Sequence, residues 1–160
     1  MADASSIRKV ASLPSATGRN QTSTRFVDGE LVISNGTNWL YPGRTEVTFV
    51  GGTADAAFYV ANRPMQIVAI REVHSTAGSD AGAVTLAVFK ETTTGAPASG
   101  VTAQSGTFNM KGTANTVQAA TLSATVANTK LAAGDRLSAN FTGTTTALAG
   151  VVVTVTLKPI

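Results

Sequence analysis

The chain of 160 residues has no cysteine, one histidine and few charged side chains. The missing cysteine excludes disulfides, thiolate metal sites and cysteine nucleophiles. Charged residues make up 13% of the chain, about half of the ~25% usual in globular domains. No apolar run approaches the ~18 residues of a membrane-spanning helix. The N-terminus lacks the apolar core of a secretion signal, so we expect a protein made and kept in the cytoplasm, without a membrane anchor.

The basic residues are too scattered for a nucleic-acid groove. Twelve lysines and arginines give a formal net charge of +3, and acidic residues are interspersed among them. Nucleic-acid binding proteins concentrate bases on one face and place aromatic side chains among them. We therefore expect no nucleic-acid partner.

The residues that could carry chemistry do not form a recognisable motif. His74 could act as a general base beside Ser75 and Ser79-Asp80, but a triad needs a nucleophile, a base and an orienting acid in contact, and no Gly-x-Ser-x-Gly elbow occurs. We favour a strand-end histidine on the surface or at an interface. Phosphate-loop and calcium-loop motifs are also absent, so we expect no enzyme, no cofactor and no metal.

Paired carboxylates for glycoside cleavage need only meet in space. Most acids in a domain with this few charges should instead pair with bases on the surface. Glu72 beside Arg71 and Asp135 beside Arg136 are typical of such pairs. The candidate acids are Glu46, Asp55, Glu72, Asp80, Glu91 and Asp135.

What the chain has in abundance is threonine, valine, alanine and glycine, including 25 threonines, which favour strands and turns. Apolar residues alternate with polar ones along several segments, as in half-buried strands. Leu137, Ala139 and Phe141 share one face of a segment, and Val84, Leu86 and Val88 share one face of another. The last apolar segment places four residues on one face: Val151, Val153, Val155 and Leu157.

Eight strands are predicted after residue 44, separated by Gly, Ala, Asp and Thr-rich loops. The pattern predicts an all-β fold, a β-sandwich with the jelly roll as the leading topology; an immunoglobulin-like sandwich is the alternative, without its Cys and Trp landmarks. Leu122, Ala124 and Val126 alternate as in a strand, although a short helix over 117–126 is the other interpretation. The strands are placed near 46–50, 56–61, 65–75, 83–92, 105–110, 116–126, 136–142 and 150–158.

The first 44 residues differ from the rest. Residues 1 to about 22 show no periodicity, which is typical of an extended arm that is disordered or ordered only against a partner. Asp28-Gly29 and Asn35-Gly36 are two-residue hairpin signals, so a three-stranded meander is predicted over 23–41. The domain boundary is expected at Pro42-Gly43-Arg44, with an arm and meander in 1–44 and a sandwich in 45–160.

Trp39 and Tyr41 are two residues apart on one predicted strand and should face the same way. They could form a carbohydrate-binding platform, but we favour a hydrophobic plug that holds the hairpin to the core or to another subunit.

Two stretches resemble structural proteins of tailed bacteriophages, in particular capsid decoration (cement) proteins. Residues 26–39, FVDGELVISNGTNW, are similar to hairpins of phage virion proteins. Residues 131–137, LAAGDRL, followed by a Thr/Gly turn and a Val-rich strand, resemble the last strands of virion jelly-roll domains. The resemblance implies a homo-oligomer, often a trimer with a dimer as the alternative, on the outer surface of the virion, bound to the major capsid protein and without catalytic residues.

The resemblance implies that residues 1–41 make most of the capsid or intersubunit contacts. Arg8, Lys9, Arg19 and Arg25 would pair with acidic groups on the shell, and Phe26, Trp39 and Tyr41 would supply apolar contacts. The alternative function is a carbohydrate- or receptor-binding module of a phage tail fibre or baseplate. A polysaccharide hydrolase or lyase fragment is the third hypothesis, weakened by the scarcity of acids and histidine.

Overall fold

The computed structural model describes residues 8–16, 23–92 and 94–160. The chain divides into two compact units. One comprises Met1–Arg44 with Pro159–Ile160, and the other comprises Thr45–Lys158.

The N-terminal unit contains a four-stranded sheet in the order β1-β2-β3-β4. Its strands are β1 (Arg8–Lys9), β2 (Thr24–Val27), β3 (Glu30–Ser34) and β4 (Trp39–Leu40). The predicted meander corresponds to β2, β3 and β4, which pair antiparallel. Part of the expected arm is also a strand, because β1 pairs parallel to β2.

The first hairpin turn has the backbone that its sequence predicts. Asp28 and Gly29 have φ angles of 48° and 77°, the left-handed pair of a type I′ turn. The second loop is longer than the predicted two-residue turn. Within it, Asn35 Oδ1 accepts the backbone N–H groups of Thr37 and Asn38 at 2.9 and 2.7 Å. Such an Asx turn satisfies the loop backbone locally.

The second unit is built around two antiparallel sheets. One sheet has the order β12-β7-β16-β5, with β14 also paired to β7; the other has the order β11-β8-β15-β6, with β9 also paired to β8. The first sheet contains β5 (Thr45–Val50), β7 (Met65–Val73), β12 (Gln118–Ala119), β14 (Lys130–Leu131) and β16 (Val152–Pro159). The second contains β6 (Ala56–Val60), β8 (Thr85–Glu91), β9 (Val101–Thr102), β11 (Phe108–Asn109) and β15 (Arg136–Thr142).

A separate two-stranded pair, β10 (Gln104–Ser105) with β13 (Thr121–Leu122), and a 3₁₀ helix over Val126–Thr129 complete this unit. The prediction of an all-β sandwich is confirmed.

The core lies between the two sheets, where period-two alternation predicted it. Leu137 and Ala139 from β15 and Leu86 and Val88 from β8 are fully buried. So are the four inward residues at the C-terminal end: Val151, Val153, Val155 and Leu157. Because alternate residues of a strand face opposite sides, these sets fix which face of each sheet forms the core.

The segment 117–126 was predicted less well. It contains two short strands and no helix, and Val126 is 55% exposed at the start of the 3₁₀ helix. The predicted alternation of Leu122, Ala124 and Val126 is therefore wrong, because Ala124 is also exposed and only Leu122 packs against the core.

Ser138 lies on the face of β15 opposite Leu137 and Ala139, yet it is fully buried. The loop after β8 covers it, and the Ala98 backbone N–H donates to Ser138 Oγ at 3.3 Å. The Ser138 hydroxyl donates to buried Glu91 Oε1 at 2.7 Å. Gly100 lets this loop approach closely, because a Cβ there would overlap the Lys90 carbonyl oxygen.

Candidate interaction surface of the N-terminal sheet

The two faces of the N-terminal sheet differ in burial. Strand pairing places Phe26 opposite Leu31 and Ile33 opposite Leu40, so these four side chains share one face. Phe26 is 38% exposed and Leu40 is 48% exposed, while Leu31 and Ile33 are half-buried. We call these four residues the apolar face of the N-terminal sheet.

The opposite face is the buried one. It carries Val27, Val32 and Ser34, which are nearly inaccessible, together with Glu30 at 8% exposure. A sheet normally buries its more apolar side. Here the face with a phenylalanine, two leucines and an isoleucine is the more exposed one, as in a surface that binds a partner.

Glu30 is held by a bidentate ion pair with Arg44. Arg44 Nε lies 2.9 Å from Glu30 Oε1, and Nη2 donates to Oε2 at 2.9 Å. The hydrogen bond to Glu30 raises the pKa of Arg44 above its ordinary value, against the opposing effect of partial burial. Two parallel N–H···O bonds fix geometry as well as charge, so this pair joins the end of the meander to β3.

The two aromatic residues that follow β3 are already engaged within the chain. The Trp39 indole N–H donates to the Pro14 carbonyl oxygen at 2.7 Å. The Arg44 guanidinium carbon lies 3.8 Å from the centroid of the Tyr41 ring, a cation–π contact that covers one face of that ring. Strand β4 ends at Leu40, so the alternation expected to align Trp39 with Tyr41 does not extend to Tyr41.

The structure describes three of the four basic residues that were expected to pair with acidic groups on the shell. Arg8 and Lys9 are paired through their backbones with Arg25 and Phe26 of β2. Arg25 donates from Nη1 to the neighbouring Thr24 carbonyl oxygen at 2.8 Å. Arg19 lies outside the described residues.

Sequence reasoning named Phe26 as a contact residue but not Leu31, Ile33 or Leu40. The signal was present, because a two-residue turn at Asp28-Gly29 fixes the register and therefore places Leu31 opposite Phe26. The Glu30–Arg44 pair had no such signal, since the two residues are far apart in sequence.

A second notable cluster is a buried polar group in the sandwich. His74 and Glu72 are fully buried, with His74 Nδ1 2.9 Å from Glu72 Oε1 and Nε2 3.2 Å from the Gly112 carbonyl oxygen. Gln118 Nε2 donates to Glu72 Oε2 at 2.9 Å. Burial raises the pKa of the Glu72 carboxyl above its ordinary value, although the hydrogen bonds from His74 and Gln118 oppose that shift.

This cluster corrects two expectations. His74 is neither on the surface nor at an accessible interface, and both ring nitrogens are occupied. Glu72 does not pair with Arg71, because adjacent residues of β7 face opposite sides of the sheet and Arg71 is exposed. The cluster instead ties β7 to the segment that joins β11 and β12.

The predicted ion pair between Asp135 and Arg136 is also wrong. The Asp135 carboxylate accepts the Ala132 backbone N–H at 2.9 Å, closing a turn at Gly134. Arg136 makes a 3.5 Å contact from Nη2 to the Thr92 carbonyl oxygen. This turn leads directly into β15, which begins at Arg136.

Within the described ranges, no group of three or more histidine, aspartate or glutamate residues is arranged to hold a metal ion. The same residues include no helix of the length and apolar character needed to cross a bilayer.

Comparison with protein-family models, with curated proteins and with solved structures finds no match to this chain.

Proposed function

We propose that this chain is a structural virion protein that binds and stabilises the outer capsid surface of a tailed bacteriophage, as a homo-oligomeric decoration protein. The observation that carries the proposal is the exposed apolar face of the N-terminal sheet. The resemblance of residues 26–39 to phage virion hairpins supplies the identity of the partner, the major capsid protein.

The small size of the N-terminal sheet supports docking on a partner. Its described strands are two to five residues long, and only Val27 and Val32 are buried apolar residues there. Small sheets need a further packing surface to be stable. A partner that covered Phe26 and Leu40 would supply that surface.

The free energy gained by burying Phe26 and Leu40 against a partner is modest. Full burial of a Phe or Leu side chain is worth about 1.5–3 kcal/mol, and both side chains are already about half covered. Each copy would therefore gain roughly 2 kcal/mol from these two residues. A repeated surface that engages several sites of one oligomer turns such contacts into tight binding.

The topology of the sandwich gives further support. We number its eight framework strands in chain order, as β5, β6, β7, β8, β11, β12, β15 and β16. The two sheets then have the orders 1-8-3-6 and 2-7-4-5. We interpret this alternation between sheets as a jelly roll, an architecture that is common in viral capsid domains.

The test is cosedimentation of the purified chain with heads of the phage that encodes it, assembled without it. We expect the wild-type chain to pellet with the heads and the double variant Phe26→Asp, Leu40→Asp to remain in the supernatant. Val126→Asp is the matched control, because Val126 is similarly exposed but lies in the sandwich. Head binding by the double variant at wild-type strength would contradict the role of this face.

A glycan array tests the competing assignment. A chain that ignores heads but binds a glycan would be a carbohydrate-binding module. The Arg44 contact that covers one face of Tyr41 argues against a platform in which both aromatic residues stack on a sugar.

A further inference from the structure

A row of four valines crosses the solvent-facing side of the sheet β12-β7-β16-β5. Val152 pairs with Val50. Strands β7 and β16 are neighbours in this sheet, and Val73 and Val152 line the same surface cavity. Gln118 pairs with Glu72, which places Val117 next to Val73. With strands about 4.8 Å apart, the row is roughly 14 Å long; we call it the valine row.

The valine row is exposed at both ends, whereas its two middle residues, Val73 and Val152, are half-buried. Val50 is 70% exposed and Val117 is 61% exposed. Val73, Val117 and Val152 line a surface cavity of 210 Å³. The outer face of an antiparallel sheet is usually polar, so a continuous line of valines across four strands indicates a contact surface.

Two opposite charges lie on one side of the valine row. Arg71 and Glu46 line the same cavity but lie two strands apart and form no ion pair with each other. Within the described part of the chain, Arg71 has no hydrogen-bond or ion-pair partner, and Glu46 has only a 3.5 Å contact with the Thr156 hydroxyl. A surface with one unpaired cation and one weakly held anion is complementary to a copy of itself.

We propose that two copies of this chain associate face to face through the valine row. A twofold axis along β16 lays Val73 of one copy on Val50 of the other. It also brings Arg71 within one diagonal position of Glu46 of the other copy, close enough for a long side chain to reach. Such a contact is self-complementary, as twofold interfaces are.

This inference deepens the proposed function, because it names the surface through which the homo-oligomer forms. The patch is a few hundred Å², smaller than the ~800 Å² per partner of a standard stable interface. The association is therefore weak in solution. Copies held side by side on a repeated surface have a high effective concentration, which favours their association.

Sedimentation velocity of the full chain over a range of concentrations tests the proposal. We expect a monomer–dimer equilibrium that Val50→Lys weakens by at least about tenfold, because the new charge would be buried in the contact. Val60→Lys is the matched control: Val60 is 51% exposed on β6 of the other sheet. A chain that stays monomeric up to about 1 mM, or equal effects of both substitutions, would overturn the proposal.

Charge reversal provides a second test of the geometry. Arg71→Glu and Glu46→Arg should each weaken the dimer by about tenfold or more, since each contact occurs twice, and the combined swap should restore it. Arg63→Glu, an exposed reversal outside the sheet face, should have no effect. If the swap fails to rescue association, the proposed pairing is wrong. Head binding measured on the same variants separates this result from the proposed function, because loss of dimer with retained head binding leaves the capsid role intact.

Discussion

Replacement of His74 by leucine is expected to destabilise the sandwich by about 1–3 kcal/mol, the cost of leaving a buried hydrogen-bonding group without its partner. In the wild-type chain the Glu72 carboxylate contacts His74 Nδ1 at 2.9 Å and Gln118 Nε2 at 2.9 Å. The substitution leaves it with the Gln118 amide. The Gly112 carbonyl oxygen also loses its contact with Nε2. Domains of this size have a total stability of about 5–15 kcal/mol, so the loss is an appreciable fraction of that stability.

Urea unfolding followed by far-UV circular dichroism measures this change in the free energy of unfolding. The single tryptophan, Trp39, lies in the N-terminal unit, so its fluorescence reports that unit separately. We expect the circular dichroism transition to move to lower urea with little change in its slope.

The double variant Glu72→Leu, His74→Leu is the control. Removing both partners leaves neither side chain buried without the other, and such replacements are often close to neutral. The double variant should therefore be more stable than His74→Leu alone. A cost below about 1 kcal/mol for His74→Leu, or a double variant whose cost equals the sum of the two single substitutions, would refute the assignment of a coupled buried pair.

Three further outcomes are expected. The Glu72 carboxyl has a raised pKa in the folded chain, so it contributes stability that is present below its ordinary pKa near 4.5 and is lost as the pH rises through the folded pKa. The stability of wild type relative to Glu72→Gln should therefore fall as the pH rises from about 4. A flat or rising difference in urea titrations would contradict this. Gly143→Ala should lower the free energy of unfolding by about 2–4 kcal/mol, because the new Cβ overlaps the Ala83 carbonyl oxygen and φ is +93°. The control Gly82→Ala, with φ +79° and open space around it, should lower it by only about 1–2 kcal/mol. Equal melting temperatures for the two variants would show that the overlap relaxes freely. Deletion of residues 1–22 should abolish cosedimentation with heads while leaving the circular dichroism transition of the sandwich unchanged, and retained binding would remove the arm from the contact.

The inward faces of β15 and β16 were predictable because strict alternation has one interpretation in a half-buried strand. The burial of Leu137, Val153 and Leu157 follows from their spacing alone. The first hairpin turn was predictable for a similar reason, since Asp-Gly supplies backbone angles that few other pairs adopt; at Asn35-Gly36 the loop is longer than the two-residue turn predicted there.

What the sequence did not predict depends on contacts between distant segments. Ser138 is buried because a loop that begins after Glu91 folds back over it, and His74 is buried because residues near Gly112 close over the end of β7. The apolar face of the N-terminal sheet was predictable only in part. Its register could be derived from the turn, but which face is left exposed depends on tertiary packing that alternation does not record.

The pairing of β5 with β16 has a consequence for how the chain acquires its structure. The first strand of the sandwich, Thr45–Val50, obtains its neighbour only when Val152–Pro159 has been synthesised, and β6 likewise waits for β15. Contacts of such long sequence separation make folding slow. During translation the edges of β5 and β6 have no partner, so the nascent chain presents unpaired strand edges to other chains. Expression at low temperature or with chaperones should therefore increase the yield of soluble protein.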